Sequence, residues 1–268
     1  MEAKLIRFFV YFFSFITFAS LLYIIGFIFI NGISALSPEM FAWKYTTSNV
    51  SMMPAIITTF IVVFFALLIA APIGVFTAFY LIEYADANSK FINIIRVATD
   101  TLSGIPSIVY GLFGMLFFVL FLGFQYSLIA GILTSVIMVL PVIIRSTEEA
   151  LLSVNVSLRE GSFALGAGKL RTIFRVVLPV AMPGILSGVI LAVGRIVGET
   201  AALMYTLGTS TNLPTDAFQS GRTLALHMYV LSSEGMHVKE SYATGVVLII
   251  LVLIINAIST WLSNRLTR

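Results

Sequence analysis

The sequence predicts an all-α polytopic membrane protein with six transmembrane helices, and three observations support this. Hydrophobic residues make up 59% of its 268 residues and charged residues 10%, against roughly 45–50% and about 25% in soluble domains. A bilayer core about 30 Å thick needs about 20 apolar residues per helix, and runs of that order lie near 8–30, 54–81, 102–121, 126–144, 183–207 and 243–262. The basic residues are shared unevenly between the intervening loops, as they are in membrane proteins. No repeat, low-complexity tract or soluble domain interrupts the pattern, so residues 1–268 read as one membrane domain.

The first run follows Lys4 and Arg7, like a signal peptide, but it is too long for one and lacks a small-residue cleavage site, which predicts a retained span. The third run contains Gly104 and Pro106, which predict either a simple kink or a break that lines a pathway, with a carbonyl freed in both cases. The fourth ends at Arg145, expected to anchor the topology by snorkelling to headgroups. The loop 208–242 is long for a plain connection. Its His227 and His237 have no carboxylate at metal-ligand spacing, so both are expected to be surface or interface residues, and contact with a delivery protein is the functional alternative.

Lys4, Arg7, Lys90, Arg96, Arg145, Arg159, Lys169, Arg171, Arg175, Arg265 and Arg268 fall on one side of the spans; Lys44, Arg222 and Lys239 fall on the other. Both termini and the segment 157–179 are therefore expected in the cytoplasm. This asymmetry also accounts for the formal net charge of +3, with no nucleic-acid partner.

Several chemistries are excluded. The chain has no cysteine, hence no disulfide, thiol nucleophile or cysteine-held cluster. "GAGKL" places Gly168 and Lys169 as a phosphate loop requires, but Phe163 stands at the first glycine position and Leu170 at the hydroxyl position. No metalloprotease motif, nucleophile elbow or acidic dyad lies in a span. The chain is expected to be non-catalytic, with no cofactor and no metal.

The segment 157–179 predicts helix, glycine turn, helix. "SLRE" is a capping box between Ser157 and Glu160. Gly166 and Gly168 are expected at positive φ, ending the first helix, and the second is expected to stop at Pro179. Apolar Leu158, Phe163, Leu165, Leu170, Ile173 and Phe174 interleave with Arg159, Glu160, Lys169, Arg171 and Arg175, as in a unit that lies on headgroups or fits a groove on a soluble partner. The fixed corner favours the partner.

Within the fifth run, Arg195 and Glu199 stand four residues apart and are expected on one helical face. An arginine near midplane costs about 2.5–3.5 kcal/mol on insertion scales. Three readings follow: a structural ion pair, an arginine that offers paired donors to a translocating oxyanion while Glu199 orients it, or a helix boundary that falls elsewhere. Gly184, Gly188, Gly194 and Gly198 form small-residue steps that let another helix approach.

The spacing of Glu160, Gly166, Val176, Leu178 and Pro179 resembles the EAA loop of the membrane subunits of binding-protein-dependent ABC importers, with Gly161 and Ser162 in place of two alanines. The resemblance implies a coupling helix seated on a cytoplasmic ATPase, with Ser157, Arg159, Glu160, Gly166, Gly168, Lys169, Leu178 and Pro179 as its residues. "GRIVGETAAL", "RSTEEALLSVNVSLREGSFALGAGK" and "GIPSIVYGLFG" together resemble the PstA-type permeases of phosphate importers. That implies a MetI-like permease fold, inorganic phosphate as cargo, and Arg195, Glu199 and Thr200 on the pathway. It further implies a PstC-like sister permease, two copies of a PstB-like ATPase, and a PstS-like binding protein outside. Asn155 replaces the proline that usually precedes "SLRE". The alternatives are an importer for another oxyanion or small solute, and a stand-alone carrier or channel.

Overall fold

The computed structural model describes residues 2–85 and 89–266 and is all-helical over them. Helix α1 (Glu2–Ile33) is followed by a 3₁₀ turn (Pro38–Phe41) and by α2 (Met53–Phe79), which a π-helical turn (Tyr80–Tyr84) prolongs. Next come α3 (Lys90–Ser103), α4 (Ser107–Gly114) with its π-helical extension (Met115–Phe121), and α5 (Leu128–Leu152). A short α6 (Val156–Ala164) leads to α7 (Lys169–Thr172), a π-helical turn (Ile173–Val177) and α8 (Leu178–Val197). The chain ends with α9 (Ala201–Met204), α10 (Leu224–Glu234) and α11 (Val238–Leu266).

Among the described residues, five helices are long and apolar enough to cross a membrane, and a sixth span is present if the bent pair α3–α4 is one. That pair turns by 106° at Gly104–Pro106. Pro106 has no N–H to continue the ladder, and the Tyr110 hydroxyl donates to the Leu102 carbonyl at 2.7 Å, satisfying an acceptor the break leaves open.

Helix α5 is the hub. Its Met138, Val139 and Ile143 are fully buried against Val62, Ala66 and Ala70 of α2 and Ala192 and Ile196 of α8. Small residues permit the approach. A Cβ on Gly74 of α2 would stand 2.7 Å from Ile143 Cγ2, and one on Gly184 of α8 would stand 2.6 Å from Ala150 Cβ. By contrast the most apolar stretch of α1 has no buried residue and Phe15, Tyr23 and Ile30 are largely exposed; only its C-terminal end meets α11, where Gly32 lies against Tyr242. So much exposed apolar surface is compatible with lipid or protein, not with water.

Candidate functional site

At one end of the bundle, α6 and α7 form a corner. Asn155 caps α6, its Oδ1 accepting from the Ser157 N–H at 3.0 Å. The helix therefore starts before Ser157, and the expected Ser157–Glu160 capping box is replaced by an Asx cap, since the asparagine side chain reaches the same orphan amides. The C-terminus is a Schellman turn: Ala167 N–H bonds to Ser162 O, Gly166 N–H to Phe163 O, and Gly166 sits at φ 79°. Gly168 departs from expectation. Its φ is −73° and it caps α7, a conformation that does not require glycine.

Pro179 does not stop the helix. A π-helical turn precedes it, in which the Leu178 N–H reaches back to Ile173 O, so the shifted ladder absorbs the missing proline donor and α7 runs on into α8.

The corner has two faces. Ser157, Glu160, Gly166, Gly168 and Pro179 are exposed and Leu178 is half-buried. Leu158, Phe163 and Leu165 also point outward, the last 91% exposed, and a Cβ added at Gly161, Gly166 or Gly168 would meet nothing within 4 Å. Arg159 and Lys169 point the other way. The Arg159 guanidinium lies 3.0 Å from Glu83 and donates to the Leu151 carbonyl at 2.9 Å, while Lys169 Nζ sits 4.6 Å above the Tyr84 ring. The Ser162 and Thr172 hydroxyls, 2.8 Å apart, tie α6 to α7. Glu83 and Tyr84 were not singled out from sequence; the one signal is a carboxylate closing an otherwise apolar run.

Farther along α8, the expected shared face of Arg195 and Glu199 is not formed. The helix ends at Val197, and Glu199 and Thr200 lie in the break before α9. Glu199 is buried and its Oε1 accepts from the Ala202 N–H at 2.9 Å, capping α9. Thr200 precedes α9, half-buried. Arg195 is half-buried and, among the described residues, makes no ion pair or hydrogen bond. It lines a cavity of about 720 Å³ with Ser187, Leu191 and Gly194 of α8, Val142 of α5, and Asn256 and Thr260 of α11. Gly194 is open to this space, whereas Gly184 and Gly188 pack on Ala150 and Ser146 of α5. The glycine steps thus divide between packing and opening. A buried-side guanidinium with unspent donors can bind an oxyanion.

Arg145 ion-pairs with Asp100 at 3.3 Å and Glu149 at 3.0 Å, joining α3 to α5. Nearby, Arg96 lies 3.6 Å from the buried Glu148.

At the opposite end, α10 packs against α11 and α2, and the Leu224 N–H donates to Thr59 Oγ1 at 2.9 Å. His227 is fully buried, not at the surface as its polarity suggested. Its ring stands edge-on to Tyr45, with centroids 6.2 Å apart, and the Arg222 guanidinium lies 5.0 Å from the centroid of the Tyr45 ring. Burial, and then the Arg222 charge, pull the His227 pKa down to about 3, and burial lowers that of Arg222.

Membrane-length helices pack around α5, and the Arg195 guanidinium, without a partner among the described residues, lines an open cavity between α5, α8 and α11. The chain belongs to the family described as "Binding-protein-dependent transport system inner membrane component", whose profile matches residues 70–268. It is 36% identical over 266 residues to the probable ABC transporter permease protein YqgI of Bacillus subtilis (strain 168), covering 92% of this chain and 90% of that one. It is 37% identical over 206 residues to the phosphate transport system permease protein PstA 1 of Mycobacterium tuberculosis (strain ATCC 25618 / H37Rv), covering 76% of this chain and 66% of that protein. The fold is similar to inward-facing structures of the MetNI methionine ABC transporter, with TM-score 0.62 and 24% identity, over 80% of this chain and 94% of that one. It is also similar to a bacterial alginate ABC transporter, with TM-score 0.62 and 16% identity, over 95% and 97% of the two chains. The chain is thus a multi-pass membrane permease subunit of ABC-importer type, which works in a complex with an ATPase and a binding protein.

Proposed function

We propose that this chain is the PstA-type half of an importer that carries inorganic phosphate inward across a bacterial inner membrane, by alternating access. Its partners are a PstC-like sister permease, two PstB-like ATPases and a PstS-like phosphate-binding protein. The termini and the α6–α7 corner face the cytoplasm, in line with the basic residues gathered on that side. The outward face of the corner, with Ser157, Glu160, Gly161, Gly166 and Leu165, seats in the ATPase. Arg159 and Lys169 carry its movement to the end of α2, and Leu178 and Pro179 carry it into α8. The chain supplies pathway and leverage, and the ATPases do the hydrolysis.

The observation that carries this reading is Arg195, which makes no ion pair or hydrogen bond among the described residues and opens on a cavity of about 720 Å³. Its charge suits any oxyanion, and the similarity to phosphate permeases selects phosphate. Glu199 and Thr200 serve the site by shaping the α8–α9 break beside it. The test is purification in mild detergent followed by reconstitution. Co-purification of an ATPase, ATP turnover stimulated by phosphate-loaded binding protein, and phosphate uptake that sulfate does not inhibit are the expected results. Uptake by this chain alone, driven by an ion gradient, overturns the reading.

A further inference from the structure

Two polar side chains on α11, half-buried Asn256 and exposed Thr260, line the Arg195 cavity, and neither has a hydrogen-bond partner among the described residues. They stand one helical turn apart and so on one face. Several hydroxyls in the long helices, α11 included, turn back onto their own backbone: Thr58, Thr59, Thr77, Thr134 and Thr244 each donate to the carbonyl four residues earlier. Asn31 of α1 does the same with its amide, donating to Phe27 O at 2.7 Å. Among the described residues Asn256 and Thr260 make no such bond. An amide and a hydroxyl left unpaired in an apolar helix are costly, and in a membrane span they mark a pathway or a partner.

Across the cavity, Ser187, Leu191, Gly194 and Arg195 share a face of α8. Ser187 and Arg195 are eight residues apart, about 12 Å along the axis. The polar lining therefore extends from Arg195 toward the end of the bundle that carries α6, the direction in which imported cargo leaves.

We propose that Asn256 and Thr260 are a second contact for the cargo oxyanion and select its protonated form. This rests on the phosphate reading above. Arg195 has only donors to offer and cannot distinguish one oxyanion from another. Inorganic phosphate at neutral pH retains at least one O–H, which needs an acceptor, whereas sulfate retains none. Asn256 Oδ1 and the Thr260 hydroxyl oxygen can accept a hydrogen bond from that O–H, and the Asn256 amide N–H donates to a bare oxygen. An acceptor that is neutral gives this selection without repelling the anion.

The test is phosphate uptake by the reconstituted complex with its loaded binding protein, comparing N256L, T260V, N256Q and R195A. Leucine and valine are at ease in a membrane helix, so misfolding does not explain a loss. N256L and T260V are each expected to lower uptake about tenfold or more, as when a hydrogen bond to a charged ligand is removed, while binding-protein-stimulated ATP turnover persists. N256Q, which keeps both donor and acceptor, is expected to recover much of the rate. Unchanged uptake in N256L and T260V, with R195A inactive, overturns this inference and leaves the function intact. Unchanged uptake in all three overturns both. Loss of the sister permease from purified N256L also overturns it, by making Asn256 an interface residue.

Discussion

Arg159 of α6 lies 3.0 Å from Glu83 at the end of α2, both side chains largely withdrawn from solvent. The same guanidinium holds the Leu151 carbonyl of α5, so one side chain joins α6 to both α2 and α5. A corner that is gripped from outside therefore moves with α2 and α5 rather than swinging free.

Removing one partner of a buried pair leaves a charge without compensation, at about 3–5 kcal/mol. Glu83→Ala is expected to lower the thermal unfolding midpoint of the detergent-solubilised complex and to uncouple ATP turnover from uptake. The exchange E83R/R159E restores part of both. An E83A complex that is as stable and as tightly coupled as the unaltered one rules out the strut.

The two glycines of the corner separate in behaviour. Gly166 at φ 79° resists a side chain at about 1–2 kcal/mol, whereas Gly168 at φ −73° accepts one without strain. G166A is expected to loosen the α6–α7 turn and reduce stimulated ATP turnover, and G168A to fold normally. Bulky replacements at Gly161 leave this chain stable, as open space predicts, yet block ATPase co-purification. Equal thermal midpoints for G166A and G168A contradict the turn's role.

Where α4 meets α9, a Cβ on Gly111 would stand 2.8 Å from Ala202 Cα and 3.1 Å from the Ala201 carbonyl. Backbone cannot yield as a side-chain tip does, so G111A is expected to cost about 1–3 kcal/mol and to disturb the Glu199 cap. G26A on α1 meets nothing and serves as the matched control in thermal melts. Indistinguishable melts for the two variants refute the tight crossing.

His227 makes stability depend on pH. Its pKa falls from 6.5 to about 3 because burial disfavours the cation. The stability gained by keeping it neutral is complete above about 6.5 and is lost as pH falls toward about 3, since the unfolded chain takes up the proton first. By about pH 5 this loss reaches about 2 kcal/mol. H227Q is expected to flatten the melting temperature over that window, and an equally steep H227Q profile places the titration elsewhere.

The fold class and the broken third span were legible because the apolar runs and the Gly104–Pro106 pair act locally, through desolvation and a missing donor. The corner was legible in outline, but its details turned on competition between local bonds: Asn155 outcompeted Ser157 as cap, and a π-helical turn absorbed Pro179. Arg195 and Glu199 were separated by a helix end that nothing in the apolar pattern announces, so four-residue spacing misled. Glu83, His227 and Asn256 gained their places through tertiary packing, with partners or neighbours far away in sequence.

The most direct measurement is phosphate uptake by the reconstituted complex carrying Arg195→Ala. The account predicts an assembled complex with ATP turnover still stimulated by loaded binding protein and phosphate uptake reduced to background. Uptake at the rate of the unaltered complex would contradict it.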